Sequence, residues 1–96
     1  MTYNKVMTKV KWTVSVNKRA YKKLPVHVLE TLQFLISELE KGPETPNWPN
    51  YSKLGYLSYH CHIKKGRPTY VACWVVDKNN KIIEVYYVGT HEKAPY

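Results

Sequence analysis

The sequence is poor in cysteine, in acidic residues and in continuous apolar segments. Its two cysteines, Cys61 and Cys73, both lie in apolar, strand-like stretches, so we expect buried thiols rather than a disulfide or a metal pair. No stretch approaches the roughly 18 to 20 apolar residues of a membrane span. The lysine-rich beginning does not resemble a signal peptide. These absences predict a soluble, cytoplasmic protein with no membrane association.

Acidic residues are also unevenly placed. Seven Asp and Glu stand against 15 Lys and Arg, which gives a net charge of +8. Residues 1–24 carry seven basic residues and no acidic ones. Residues 25–50 carry one basic and four acidic residues, and residues 51–96 carry seven basic and three acidic residues. We therefore expect the two ends to meet on one basic face that suits a polyanionic partner.

The first half predicts one strand and two helices. Ninety-six residues suffice for a single domain, 1–96, with one core. Residues 1–8 have no pattern and are expected to be a loose leader. Strict alternation over 9–16 predicts a half-buried strand. Residues 18–24 are typical of a short basic helix, and residues 25–41 of an amphipathic helix.

The second half predicts a connector and three strands. Three prolines within 43–53 favour an extended connector. Residues 57–64, 69–76 and 82–88 predict an antiparallel meander with two tight turns. The fold class is therefore α+β, in the order β-α-α-β-β-β. We expect the helical hairpin to cover one face of the sheet and the other face to be bare.

The stretch 57–64 has two alternating sets of side chains that want opposite environments. One set is apolar, and the other consists of Ser58, His60, His62 and Lys64. A strand directs the two sets to opposite faces. Two imidazoles about 6 to 7 Å apart can donate and accept around one anionic group. The alternative, that an exposed strand face simply carries polar residues, stays open. A metal site that joins Cys61 to both histidines fails because adjacent strand residues point apart.

The length of the turn after this strand decides which residues of the next strand lie on the same face as His60 and His62. One residue more or less in the turn moves the other set of side chains to that face. A three-residue loop at 65–67 would place Tyr70, Ala72 and Trp74 there. A two-residue loop would place Thr69, Val71 and Cys73 there. We favour the first arrangement because it offers aromatic rings to a basic face, but the sequence leaves both open.

Several short motifs, in their order and spacing, resemble the RelE branch of the RelE/ParE toxin superfamily of bacterial toxin–antitoxin systems. The resemblance covers residues 9–96. It rests on Lys23-Leu24-Pro25, Lys53-Leu54-Gly55, Tyr59-His60-Cys61-His62-Ile63-Lys64, Tyr70-Val71 and Val88-Gly89-Thr90-His91-Glu92-Lys93. It implies a ribosome-dependent endoribonuclease that cuts messenger RNA and represses translation. The implied partners are a cognate antitoxin, the ribosome and messenger RNA, with no cofactor.

The resemblance also implies roles for particular residues. The catalytic candidates are His60, His62, His91 and Tyr96. The candidates for RNA or phosphate contacts are Lys64, Arg67, Lys93, Tyr70, Lys18, Arg19, Lys22 and Lys23. Family members commonly have Lys or Arg at the positions of His60 and His62, and an Arg at the position of Tyr70. We expect Arg67 to supply that guanidinium.

The chemistry of RNA cleavage fits these residue types. RNA carries its own nucleophile, the 2′-hydroxyl, so cleavage needs a base, an acid and cations but no metal. Our hypothesis gives acid and base roles to His91 and to either His60 or His62, and a positioning role to Tyr96. The alternatives are a non-catalytic ParE-like toxin that binds DNA gyrase and a catalytically degenerate RNA-binding relative.

Overall fold

The computed structural model describes residues 11–44 and 47–96. The elements are β1 (Thr13–Val16), α1 (Lys18–Tyr21), α2 (Val26–Leu39), β2 (Ser52–Gly55), β3 (Ser58–Lys64), β4 (Tyr70–Asp77), β5 (Ile82–Thr90) and one 3-10 turn, His91–Lys93. The predicted leader at 1–8 and the first two residues of the predicted strand at 9–16 lie outside the described residues. None of the helices in the described ranges is long and apolar enough to cross a membrane.

The strands of the described residues form one sheet in the order β1-β5-β4-β3-β2. Strands β2 to β5 pair antiparallel, and β1 pairs parallel with β5. The α+β class and the meander are confirmed. The parallel pair arises because the two helices carry the chain back before the meander begins. Strand β2 was not predicted, since its four residues, Ser52–Gly55, show no usable alternation.

The helices pack on one face of this sheet. Helix α2 buries one stripe at spacings of four, three and four residues, made of Val28, Leu32, Leu35 and Leu39. Trp74 of β4 is fully buried beneath them, and its Nε1 donates to the Pro43 carbonyl at 3.0 Å. Helix α1 is capped by Asn17, whose Oδ1 accepts from the backbone N–H of Arg19 at 2.9 Å. We call this face the helix side and the opposite one the histidine face.

The favoured prediction that Tyr70 and Trp74 share the histidine face is wrong. In the β3–β4 register His60 pairs with Cys73, so Cys73 and its alternate neighbours occupy that face. Both aromatic rings belong to the helix-side core. The physical reason is a bulge near the end of β3, which shifts the pairing by one residue and reverses the parity that a regular hairpin would have.

Candidate active site

Strand β3 carries the first two functional candidates. Alternation along the strand places His60 and His62 on the histidine face, while Tyr59, Cys61 and Ile63 join the helix-side core. The centroids of the two imidazole rings are 6.0 Å apart. This separation is what residues two apart on one strand produce.

The C-terminal segment brings two more rings to the same face. The backbone N–H of His91 donates to the Thr69 carbonyl at 2.8 Å, which fixes the start of the 3-10 turn beside β4. The His91 ring lies 5.5 Å from that of His62, and the Tyr96 ring lies 4.5 Å from that of His60. The His91 and Tyr96 rings are 6.1 Å apart. We call His60, His62, His91 and Tyr96 the ring cluster.

The histidine face is not bare, contrary to the prediction. Val71 and Cys73 of β4 are fully buried on it, and His60 is only 8% exposed. Tyr96 covers part of this face through its contact with His60. Tyr87, which sequence reasoning missed, directs its hydroxyl to the Thr90 carbonyl at 2.7 Å. The end of the chain therefore closes over the sheet and leaves only part of the ring cluster accessible.

Gly89 allows Tyr87 to adopt this position. A Cβ atom at residue 89 would lie 2.6 Å from the Tyr87 hydroxyl oxygen and 2.9 Å from its ring. Glycine at this point of β5 is thus required by the close approach of the tyrosine. Gly89, which belongs to one of the motifs that resemble the family, thus has a local packing role here.

His60 occupies the more buried position of the two strand histidines. Its Nδ1 is 3.0 Å from the hydroxyl oxygen of Ser52, its cross-strand partner on β2. Burial lowers the pKa of the His60 imidazole below its usual range; a hydrogen bond with the Ser52 backbone opposes this, and the charge of His91 adds to it. The imidazole is therefore uncharged near neutral pH. Ser52 was not among the predicted site residues, because only the pairing of β2 with β3 reveals it.

His62 is half-buried and lies nearer to solvent. Its backbone N–H donates to the Pro49 carbonyl at 2.8 Å, so the segment before β2 holds this end of β3. Burial lowers the pKa of His62, and the charges of His60, His91 and Lys65 lower it further. An imidazole in this state is unprotonated near neutral pH and is available as a general base for a substrate held close to it.

A cleft of about 540 Å³ opens on one side of the ring cluster. It is lined by His62, Gly66, Arg67, Pro68, Thr69, Thr90, His91 and Glu92. Two members of the ring cluster, His62 and His91, thus line the cleft together with Arg67. His60 and Tyr96 do not line the cleft. The His60 ring lies 6.0 Å from that of His62, and the Tyr96 ring lies next to His60.

The remaining predicted contacts are dispersed. Lys64 pairs with Tyr70 past the bulge, and its Nζ lies 3.4 Å from the Lys65 carbonyl rather than in the cleft. Tyr70 packs on the helix side, and Lys93 is exposed on the 3-10 turn. Neither Lys64 nor Tyr70 therefore lines the cleft beside the ring cluster.

The basic residues of the first helix lie on the other side of the sheet. Helix α1 packs through Ala20 and Tyr21 against the helix-side core. Two clefts beside it, of about 390 and 500 Å³, are lined by residues that include Lys18, Arg19, Lys22 and Lys23. The smaller of these two clefts is lined in part by Val88, which precedes Thr90 by two residues, and Thr90 lines the cleft beside the ring cluster. The basic residues predicted to share one face thus lie on two, the helix side and the histidine face, near the C-terminal end of β5.

The cysteines behave as predicted. Both Cys61 and Cys73 are free and fully buried, and their side chains lie on opposite faces of the sheet. Burial raises the pKa of the Cys61 thiol to about 12 and that of Cys73 to about 11. Within 11–44 and 47–96, no group of three His, Cys, Asp or Glu side chains is arranged to hold a metal ion.

The fold matches solved structures of RelE toxins. The archaeal RelE–RelB complex from Pyrococcus horikoshii OT3 superposes with a TM-score of 0.68 at 15% sequence identity, covering 88% of this chain and 99% of that chain. This chain has the RelE fold. The isolated E. coli RelE toxin gives a TM-score of 0.64 at 21% identity over 88% of each chain. The Mycobacterium tuberculosis RelBE2 toxin–antitoxin complex gives 0.59 at 21% identity, over 85% of this chain and 93% of that chain.

The RelE resemblance that the motifs predicted is confirmed at the level of the fold. At the level of sequence, no protein-family model and no curated protein matches the chain. In this chain the meander and the end of the chain surround one cleft, and the chemistry of that cleft depends on the residues that line it.

Proposed function

We propose that this protein is a RelE-type toxin that cleaves messenger RNA on the ribosome and so represses translation. The observation that carries the proposal is the cleft in which the rings of His62 and His91 lie 5.5 Å apart beside Arg67. Two imidazoles at this separation can reach opposite sides of one phosphodiester. A guanidinium in the same cleft supplies charge-assisted hydrogen bonds to the phosphate oxygens.

The proposed reaction is transesterification within the RNA. His62, whose lowered pKa leaves it uncharged near neutral pH, accepts the proton of the 2′-hydroxyl. The 2′-oxygen then forms a bond to phosphorus as the bond from phosphorus to the 5′-oxygen breaks. His91, starting with a proton on both ring nitrogens, donates one of them to that departing 5′-oxygen. The products are a 2′,3′-cyclic phosphate and a free 5′-hydroxyl, so atoms and protons balance without a metal.

The other members of the ring cluster support this pair. Tyr96 is in contact with His60 and stands 6.1 Å from His91, which suits a role in positioning the 3-10 turn. The charge that grows on the phosphate is met by Arg67, which lines the cleft. Lys93, exposed on the same turn, is proposed to contact the RNA backbone farther along.

The basic residues of α1 and of the turn that follows it are proposed to meet ribosomal RNA. Lys18, Arg19, Lys22 and Lys23 are exposed and line clefts on the helix side. Their place on the helix side, in clefts that contain no member of the ring cluster, favours a docking role over a catalytic one, because phosphate contacts position a protein on RNA. An antitoxin partner is proposed as well, since two of the matched structures are complexes of RelE with RelB.

The test is induced expression in a bacterial host, followed by mapping of 5′ ends on cellular RNA. We expect new 5′ ends at a constant position within codons, and their loss in the double variant His62→Ala/His91→Ala. His27→Ala is the matched control, because His27 is exposed on α2, outside the ring cluster. Intact messenger RNA accompanied by DNA damage would overturn the proposal in favour of a gyrase-directed toxin.

A further inference from the structure

The contact between β2 and His60 is not used by the proposed reaction. Ser52 and His60 are direct partners in the β2–β3 register, so their Cβ atoms are neighbours on the histidine face. The serine hydroxyl lies 3.0 Å from Nδ1 of the imidazole. On the other side, the His60 ring meets Tyr96 with 4.5 Å between centroids. His60 thus links the edge strand of the sheet to the end of the chain.

The surroundings of His60 favour one of its two neutral forms. A serine hydroxyl can accept from Nδ1–H or donate to an unprotonated Nδ1. A hydrogen bond with the Ser52 backbone acts to raise the pKa of the His60 imidazole, although burial outweighs this effect. A main-chain group has this effect when its carbonyl accepts from a ring N–H. The hydroxyl oxygen of Ser52, 3.0 Å from Nδ1, is placed to accept a hydrogen bond from a protonated Nδ1.

We propose that Ser52 is a positioning residue that accepts a hydrogen bond from Nδ1–H of His60 and thereby fixes the ring against which Tyr96 packs. The second ring nitrogen, Nε2, is then the unprotonated one. With its imidazole held in one orientation and one tautomer, His60 presents a constant surface to Tyr96. Through Tyr96 the same contact limits the motion of the 3-10 turn that carries His91. The effect on RNA cleavage rests on the proposed function, whereas the effect on His60 does not.

The direct test is nitrogen-15 NMR of histidine-labelled protein at pH 7.5. We expect His60 to have Nδ1 protonated and Nε2 unprotonated in the native protein and in Ser52→Thr, which keeps the hydroxyl. Ser52→Ala should move His60 toward the Nε2–H form. Ser58→Ala is the matched control, since Ser58 lies on β3, two residues before His60, but pairs with Gly55 of β2. An Nε2–H form in the native protein, or no change in Ser52→Ala, would overturn the inference.

A second test measures cleavage of ribosome-bound RNA. Loss of one hydrogen bond predicts that Ser52→Ala lowers the rate by about 2- to 10-fold, with recovery in Ser52→Thr. In a Tyr96→Ala background the same serine substitution should have little further effect. An equal loss in both backgrounds would show that the serine does not act through Tyr96. If the native protein cleaves no RNA, the proposed function fails while the NMR result still decides the role of Ser52.

Discussion

Replacing the four histidines one at a time with alanine distinguishes the cleft from the rest of the ring cluster. His62 and His91 line the cleft, and His60 stands behind them, 8% exposed. His27 is exposed on α2 and serves as the control for removal of an imidazole. The structure therefore predicts an order of effects, in which His62→Ala and His91→Ala are the most severe, His60→Ala is intermediate and His27→Ala is silent.

The magnitudes follow from the role of each ring. Proton transfer by a positioned group contributes about 10²- to 10⁴-fold, or about 2.7 to 5.4 kcal/mol of barrier, so each cleft histidine should cost that much. Because His62 and His91 act on one phosphate, the double variant should cost less than the product of the single effects. His60 acts through packing against Tyr96, and its removal should cost about 2- to 10-fold beyond any loss of stability.

The assay is single-turnover cleavage of a short messenger RNA bound to purified ribosomes at pH 7.5. Circular dichroism and thermal unfolding of each variant show whether it is folded. The assignment would be refuted if His60→Ala were more damaging than His62→Ala in a folded protein. It would also be refuted if the two cleft variants both kept rates within about twofold of the native protein. Either result would move the reaction away from the cleft.

Three further predictions concern stability and docking. Burial lowers the folded-state pKa of His60 below its unfolded value of about 6.5, so its contribution to stability is complete above that pH and is lost as the pH falls. The urea midpoint should drop between pH 7.5 and 5, and less so in His60→Gln. Leu35→Ala, at a fully buried position, should cost about 2 to 5 kcal/mol in urea unfolding. Phe34→Ala, 63% exposed beside it, should cost about 1 kcal/mol or less. Lys22→Gln/Lys23→Gln should reduce the salt slope of ribosome binding by about 1.4 to 1.8, measured by titration at several salt concentrations.

The regular parts of the fold were predictable because their periodicity is local. Apolar residues at helical spacing located α2, and strict alternation located β3 with its two histidines on one face. Those two patterns place His60 and His62 away from the helices without any knowledge of the partners. The hypothesis that His91 and Tyr96 act together with the strand histidines requires their rings to be near one another, and the structure places His91 5.5 Å from His62 and Tyr96 4.5 Å from His60.

The irregular parts were not predictable, because they depend on pairing between distant segments. The bulge near the end of β3 has no local signal in the sequence, yet it decides that Trp74 belongs to the helix side. The contact of Ser52 with His60 exists only because a four-residue edge strand pairs in one register. The burial of Cys73 was predicted, but its place on the histidine face depends on the same β3–β4 register.

The closed histidine face explains why an imidazole suits residue 60. The family resemblance implies Lys or Arg at this position, and such a side chain would keep its charge in surroundings where His60 is 8% exposed. Burying an unpaired charge is costly, whereas an imidazole with a lowered pKa enters the same place uncharged. The ring that fits beneath Tyr96 is therefore one that can lose its proton.

The lowered pKa of the strand histidines also bears on where positive charge would come from in the proposed cleavage. An unprotonated imidazole such as His62 accepts a proton but gives no fixed charge to a phosphate that becomes more negative in the transition state. Among the described residues that line the cleft, Arg67 is the one whose side chain is always cationic. A site with histidines on β3 thus relies on the loop between β3 and β4 for its electrostatic stabilisation, and on β2 and the end of the chain for its geometry.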